Sequence, residues 1–147
     1  MVALEIWNFL HFIGLALGLG GATIANIISR KADNDKELSR GLHKILPPII
    51  KLIWTGLILL IISGIALPYY ITYPMNKQIL IIKHVIVVWI VLIGIFIGII
   101  SKRVMTSTPI GKEKPKQEFL KISKIMKVLS TINLILWYVV TLLSAFV

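Results

Sequence analysis

The stretch FLHFIGLALGLGGATIAN, residues 9–26, is strongly apolar, yet it contains one histidine and four glycines. It lies within an apolar run over residues 4–29, which exceeds the roughly 20 residues that a helix needs to cross a lipid bilayer. Three more runs of this kind follow, at residues 46–70, 78–100 and 124–146. The pattern predicts an all-α protein in which residues 1–147 form one integral membrane domain, a four-helix bundle.

The composition excludes several other classes of protein. Hydrophobic residues make up 57% of the 147 residues and the mean hydropathy is +0.91, which is more apolar side chain than a soluble domain of this length can bury. Cysteine is absent, which rules out disulfides, thiolate metal sites and cysteine nucleophiles. The first apolar run is unlike a signal peptide, because its positive charges, Arg30 and Lys31, follow it instead of preceding it.

The net charge of +10 is distributed unevenly along the chain. Of the 16 lysines and arginines, fourteen lie in the segments 30–51 and 102–127, and only Lys77 and Lys83 lie elsewhere. The positive-inside rule then predicts that both segments are on the cytoplasmic side of the plasma membrane and that both termini are outside. Because attraction to anionic lipid also explains this charge, we expect the lipid bilayer, and no nucleic acid, as the partner of the basic residues.

Each of the two basic segments contains a helical signal of its own. Residues 30–44 are polar and mixed in charge, which predicts a short helix ending near Gly41, and Pro47 and Pro48 are typical of the first turn of helix 2. Residues 119–129 place apolar side chains on one face of a helix and lysines on another. That pattern predicts an interfacial basic helix leading into helix 4.

The glycines of helix 1 fall on one stripe together with its histidine. At helical spacing the stripe contains His11, Gly14, Gly18, Gly21, Ala22 and Ala25. One interpretation is tight helix packing through small residues, which the spacing of Gly14 and Gly18 allows. The other is a flat cofactor lying against the glycine face. The stripe alone is compatible with both.

Two histidines lie at the same depth of the predicted bundle. His11 follows the outer end of helix 1 by about seven residues and His84 follows that of helix 3 by about six, which is roughly 9–11 Å for both. Ionisable residues inside a membrane span are costly and tend to mark function. Two imidazoles at one depth suit the axial positions of a haem iron, so we expect haem b with His11 and His84 as metal ligands. The alternative is two unrelated histidines, each hydrogen-bonded to a neighbouring helix.

Lys83 stands beside His84 and has several roles open to it. It can extend to the lipid headgroups, face a haem propionate, or act as a ligand or proton-transfer group itself. We assign Lys83, Gly14 and Gly18 to the cofactor-binding residues.

The third histidine and the tryptophans are expected outside the cofactor site. His43 lies in a basic loop, where we expect it to be solvated. We expect three tryptophans to fill the core instead of lining a cofactor site: Trp54, Trp89 and Trp137.

Four features over roughly residues 5 to 103 form a recognisable combination: FLHFIG at 9–14, the first basic loop, the prolines of helix 2, and ILIIKHVIVVWIVLIG at 79–94. In these features the chain resembles the HemJ-type membrane protoporphyrinogen oxidases and the related small four-helix family that includes CopD-like copper-resistance proteins. The positions that match the family's motifs are His11 and Lys83. The resemblance implies a haem b bundle that handles electrons from a porphyrinogen or a quinone.

Three functions from different classes follow from these observations. The first is a haem b membrane protein for electron transfer or for porphyrinogen- or quinone-linked oxidation, with a membrane redox protein or a second copy of the chain as partner. The second is a non-catalytic accessory subunit of a larger membrane complex. The third is a small copper-handling or transport module that uses His11, His84 and Met75. We expect the first, and the sequence identifies no catalytic residue for it.

Overall fold

The fold is all-helical in the computed structural model, as the sequence predicts. The structure describes residues 2–71, 76–106 and 116–146, except for the side chains at 36, 39, 40, 43, 102–106, 116–120 and 145. These ranges contain four long helices and two short 3-10 helices, and no strand. The elements form two compact units, one built from the first two long helices and one from the last two.

The first unit pairs α1 (Val2–Lys31) with α2 (Lys36–Ala66). The connection between them is a tight turn, in which the amide of Ala32 donates to the Ile28 carbonyl at 3.0 Å and the amide of Asn34 donates to the Lys31 carbonyl at 3.1 Å. Such a short connection makes the two helices antiparallel neighbours. A 3-10 helix, Leu67–Tyr69, follows α2.

The two helices of this unit approach each other closely at glycines. A Cβ atom added to Gly56 of α2 would lie 2.6 Å from the carbonyl oxygen of Gly14 and still closer to the amide nitrogen of Gly18. A Cβ added to Gly14 would lie 2.9 Å from the carbonyl oxygen of Gly56. Real Cβ atoms essentially never come within 3.0 Å of another heavy atom, so only glycine permits this approach. Tight packing of the glycine stripe is therefore confirmed for Gly14 and Gly18.

The start of α2 differs from the prediction. Asp35 caps the helix, because its carboxylate accepts hydrogen bonds from the amides of Glu37 at 2.9 Å and Leu38 at 3.0 Å. From there α2 runs without a break through Gly41 and through both prolines, Pro47 and Pro48. The predictions of a separate short helix ending near Gly41 and of prolines in the first turn of helix 2 are therefore wrong. A proline inside a helix removes one amide donor and bends the helix. Membrane-spanning helices tolerate proline because neighbouring helices and local adjustments of the backbone satisfy the carbonyl that has lost its donor.

The second unit pairs α3 (Lys77–Thr106) with α4 (Lys116–Leu143), and a 3-10 helix, Ser144–Phe146, follows. Asn76 precedes α3, and its side-chain oxygen accepts hydrogen bonds from the amides of Gln78 at 3.2 Å and Ile79 at 3.4 Å. α3 packs against α4. Among the described side chains of this unit, the most deeply buried apolar ones are Ile90, Trp137 and Val140.

The basic segment before the fourth predicted span belongs to α4 itself. α4 is continuous from Lys116 to Leu143, so the predicted helix over residues 119–129 is present and leads directly into helix 4, while its interfacial position stays a prediction. The physical reason is local: no proline or glycine lies between residues 116 and 143 to end one helix and start another. Lys121 and Lys124 are exposed in the first half of this helix.

All four long helices are long and apolar enough to cross a membrane. The candidate spans are Val2–Lys31, Lys44–Tyr69, Lys77–Ser101 and Lys121–Leu143. Large apolar side chains stand exposed along them, among them Phe9 and Phe12 on α1, which are 64% and 69% exposed. A helix of a water-soluble protein carries polar residues on its exposed face, so this surface suits lipid.

Candidate functional site

His11 is half-buried and makes a hydrogen bond from α1 to α2. Its Nδ1 lies 2.9 Å from the hydroxyl oxygen of Ser63, a residue that is fully buried. The same hydroxyl oxygen lies 2.6 Å from the carbonyl oxygen of Leu59. A carbonyl can only accept, so the single hydroxyl hydrogen of Ser63 is donated to Leu59, and Nδ1–H of His11 is donated to Ser63. This network assigns the proton of neutral His11 to Nδ1 and the lone pair to Nε2.

One antiparallel register joins His11 and Ser63 to the glycine contacts. The helix pair brings together, in order along α1, His11 with Ser63, Gly14 with Leu60, Gly18 with Gly56, and Gly21 with Ile53. Each step of three or four residues forward along α1 is matched by the same step backward along α2. The close glycine contacts therefore set both the distance and the register at which Ser63 meets His11.

The ring of His11 also lies against a glycine. A Cβ atom added to Gly64 would be 3.9 Å from Cε1 of His11, which is ordinary van der Waals contact. His11 is thus held by a hydroxyl from Ser63 and by the adjacent small residue of α2. This arrangement corresponds to the sequence alternative in which a histidine bonds to a neighbouring helix. Ligation through Nε2 stays a prediction, because the bond to Ser63 uses Nδ1 of the ring.

Gly14 and Gly18 are both buried; the atoms nearest to a Cβ at Gly14 belong to α2, and a Cβ at Gly56 of α2 would meet the backbone of Gly18. A Cβ added to Gly14 would meet the amide nitrogen and Cγ of Leu60, each at 3.0 Å, in addition to Gly56. The contacts therefore show these two glycines packing one helix onto another. Their assignment as residues that bind a porphyrin stays a prediction.

His84 and Lys83 lie in the first half of α3, in the second unit. His84 is exposed, and its Nδ1 lies 2.8 Å from the carbonyl oxygen of Leu80 in its own helix. Because a carbonyl cannot donate, Nδ1 of His84 carries the proton, as Nδ1 of His11 does. His84 therefore does not bond to a neighbouring helix in this contact, unlike the alternative that the sequence suggests. Lys83 is of intermediate exposure.

The metal-binding predictions have a limited set of residues to draw on. Within residues 2–71, 76–106 and 116–146, no group of three or more histidine, cysteine, aspartate or glutamate side chains is placed to hold a metal ion. Met75, the third residue of the copper hypothesis, lies outside the described residues, as does the side chain of His43.

Sequence reasoning did not find Ser63, the residue that determines the tautomer of His11. The available signal was a single hydroxyl in the apolar run LILLIISGIAL, residues 57–67.

The tryptophans differ in their burial. Trp137 is 1% exposed and fills the core as expected, whereas Trp89 is 57% exposed, so its assignment to the core is wrong. Trp54 is of intermediate exposure.

The case for a function rests on the residues described above. The strongest chemical feature is the pair of histidines with their assigned tautomers. The structure adds Ser63 as the hydrogen-bond partner of His11. The resemblance to HemJ-type and CopD-like proteins stays a prediction. No protein-family model, no curated protein and no solved structure matches this chain.

Proposed function

We propose that this chain is a multi-pass membrane protein that binds haem b and transfers electrons within the membrane. Four helices long and apolar enough to span a bilayer supply the scaffold. The observation that carries the proposal is the protonation pattern of His11 and His84. Each donates its Nδ1–H to an oxygen within its own unit, and in a neutral ring this tautomer places the lone pair on Nε2, the nitrogen that we propose binds the metal.

Each histidine taken by itself has the hydrogen bond at Nδ1 that an axial haem ligand commonly has. Metal-binding histidines usually donate the other ring N–H to a hydrogen-bond acceptor, and that bond fixes the tautomer and the ring orientation. The carbonyl of Leu80 is such an acceptor for His84. For His11 the acceptor is the hydroxyl of Ser63, which is itself held by the carbonyl of Leu59. Neutral imidazole is a common axial ligand of haem.

The residues have separate roles in this proposal. His11 and His84 bind the iron through Nε2, and their pairing on one iron is inferred from their positions in the sequence. Bound haem supplies one-electron transfer at its iron. Ser63 orients the His11 ring, and Lys83 offers an ammonium to a propionate, where a charge-assisted hydrogen bond stabilises both groups.

Gly14 and Gly18 support the site from a distance in this proposal. By packing against Gly56, they bring α2 close enough for Ser63 to reach His11. A larger side chain at either position would separate the helices and remove the orienting hydrogen bond. A direct contact between these glycines and a porphyrin edge is a further prediction, which the packing role does not require.

The orientation that we propose follows from charge. Both basic segments, 30–51 and 102–127, lie on the cytoplasmic side of the plasma membrane, and both termini lie outside. His11 and His84 then lie in the outer half of their spans, since each is in the first half of a helix that runs inward. We propose a porphyrinogen, a quinone or a membrane redox protein as the electron partner, on the strength of the family resemblance alone.

An absorption spectrum of the protein purified from haem-supplied cells tests the proposal. We expect a low-spin Soret spectrum typical of two imidazole ligands. His11→Ala should lose or weaken the bound haem, and His84→Ala should leave a five-coordinate, high-spin haem or none. Ser63→Ala should keep both ligands and lower haem affinity by about 10–100-fold, as the loss of an orienting partner does in other metal sites.

Two matched variants serve as controls. His43→Ala removes the third histidine of the chain, and Thr55→Ala removes an exposed α2 hydroxyl that donates to the Lys51 carbonyl of its own helix. Both should retain the wild-type spectrum and affinity. A colourless wild-type protein would overturn the proposal and favour an accessory subunit. An unchanged low-spin spectrum in His84→Ala would remove His84 from the iron.

A further inference from the structure

Two buried polar atoms on α4 have no hydrogen-bond partner among the residues that the structure describes. They are the side-chain oxygen of Asn133 and the indole Nε1 of Trp137. Trp137 is 1% exposed, so its indole N–H is withdrawn from both solvent and lipid. Buried donors and acceptors are almost always paired, because an unpaired one keeps the full penalty of losing its water.

Hydroxyl groups in α4 and in the 3-10 helix that follows it show that these two atoms are exceptional. Each of the other assigned hydroxyls donates to the carbonyl four residues earlier: Thr131 to Lys127 at 2.8 Å, Thr141 to Trp137 at 2.8 Å, and Ser144 to Val140 at 2.9 Å. The helix therefore satisfies these short polar side chains internally. An indole has no comparable route to a backbone carbonyl of its own helix, because its N–H lies far from the main chain.

Asn133 and Trp137 are also chemically complementary. They are four residues apart, so they lie on one face of α4, one turn from each other. One atom is an acceptor and the other is a donor. A carbonyl or an ether could pair with Trp137 only, and an ammonium could pair with Asn133 only. A hydroxyl can pair with both, and it carries no charge into an apolar region.

We propose that this face of α4 binds a hydroxyl group, which accepts a hydrogen bond from Nε1–H of Trp137 and donates one to the side-chain oxygen of Asn133. Two sources carry this chemistry in a membrane: an internal water molecule and a membrane-soluble quinol. Both polar groups of the site belong to α4, and the site does not depend on haem. It gives the buried indole of Trp137 a binding role in addition to its packing.

Indole ¹⁵N–¹H spectroscopy of the full-length protein in lipid nanodiscs tests the proposal. The chain has four tryptophans, and Trp137→Phe identifies the signal of interest by its loss. If that variant does not fold, single Phe replacements of Trp7, Trp54 and Trp89 assign the remaining signal by elimination. Trp89, which is 57% exposed, is the internal control.

The outcomes separate the two sources. A cross-relaxation peak between the Trp137 indole proton and water supports a water molecule. A Trp137 signal that lacks this peak and shifts on addition of reduced decylubiquinone, while Trp89 stays unchanged, supports a quinol. In both cases Asn133→Leu should move the Trp137 indole proton upfield, because the bound hydroxyl loses its own acceptor and is held less firmly.

The remaining outcomes overturn the proposal. They are a Trp137 signal with neither a water peak nor a specific quinol shift, and a Trp137 signal that Asn133→Leu leaves unchanged. Thermal unfolding gives a second readout. Asn133→Leu lowers the unfolding temperature if a hydroxyl is bound, and it raises that temperature if the Asn133 oxygen is merely unpaired, which would also refute the site.

Discussion

Ser63 shows how one hydroxyl can define the chemistry of a histidine. Its hydrogen is taken by the Leu59 carbonyl, so its oxygen has only lone pairs to offer to His11. Nδ1 of His11 is therefore the donor in this bond, and its ring is oriented by α2. Ser63 therefore affects the site by orienting His11, and it does not bind the metal itself.

Replacing Ser63 by alanine should destabilise the first helix pair. The substitution removes the oxygen that accepts Nδ1–H of His11, and the loss of a buried hydrogen-bond partner costs about 1–3 kcal/mol. We expect the free energy of unfolding of the haem-free protein in detergent micelles, followed by circular dichroism, to fall by that amount. Thr55→Ala is the matched control, because Thr55 is exposed and bonds only within α2. Equal losses in the two variants would contradict the role of the His11–Ser63 bond.

At the scale of helices, the register of α1 on α2 is set at glycines, where neither backbone carries a side chain. Gly14, Gly18 and Gly56 let main-chain atoms of the two helices meet directly. Within a membrane, helices gain little from hiding apolar surface, since lipid is apolar as well, and close van der Waals packing becomes a main source of association. The glycines that fix this register also fix which residue of α2 lies opposite His11.

Gly56→Ala should force the two helices apart. The added methyl group would lie 2.6 Å from the carbonyl oxygen of Gly14, and overpacking of this kind costs about 1–3 kcal/mol. We expect the unfolding free energy to fall by this amount in the same micelle assay. Gly20→Ala is the control, because nothing lies within 4 Å of a Cβ at Gly20. Its stability should be unchanged or higher, since alanine favours helix by up to about 1 kcal/mol over glycine. Wild-type stability in Gly56→Ala would show that the helices are not in contact there.

At the scale of the whole molecule, the basic residues determine how the chain is expected to lie in a membrane. Fourteen of the 16 lysines and arginines belong to the segments 30–51 and 102–127, each of which runs from the end of one long helix into the next. The absence of cysteine makes this arrangement simple to probe, because each introduced cysteine is the only one in the chain.

Cysteine labelling should show both basic segments on the inside. With a membrane-impermeant maleimide, we expect Asn34→Cys and Lys112→Cys to react only after the cells are permeabilised. Tyr70→Cys, at the opposite end of α2, should react in intact cells, because Tyr70 is exposed and lies on the predicted outer side. Labelling of Asn34→Cys in intact cells would contradict the orientation.

The sequence by itself determined the helical class, the four candidate spans and the choice of His11 as a candidate site residue. These features depend on hydrophobicity and charge summed along short stretches, and both can be read directly from the sequence. It misjudged the start of the second helix, because the helix that Asp35 caps continues through both prolines, where the prediction placed a boundary.

Only the tertiary structure decided that Ser63 is the partner of His11 and that Gly56 is the partner of Gly14 and Gly18. Ser63 is 52 positions away from His11, and no local pattern relates the two. Their meeting depends on the register between two helices, and a slip of one helix by a single residue would turn a different face toward its neighbour. That register is a property of packed backbones, and it exists only once both helices have formed.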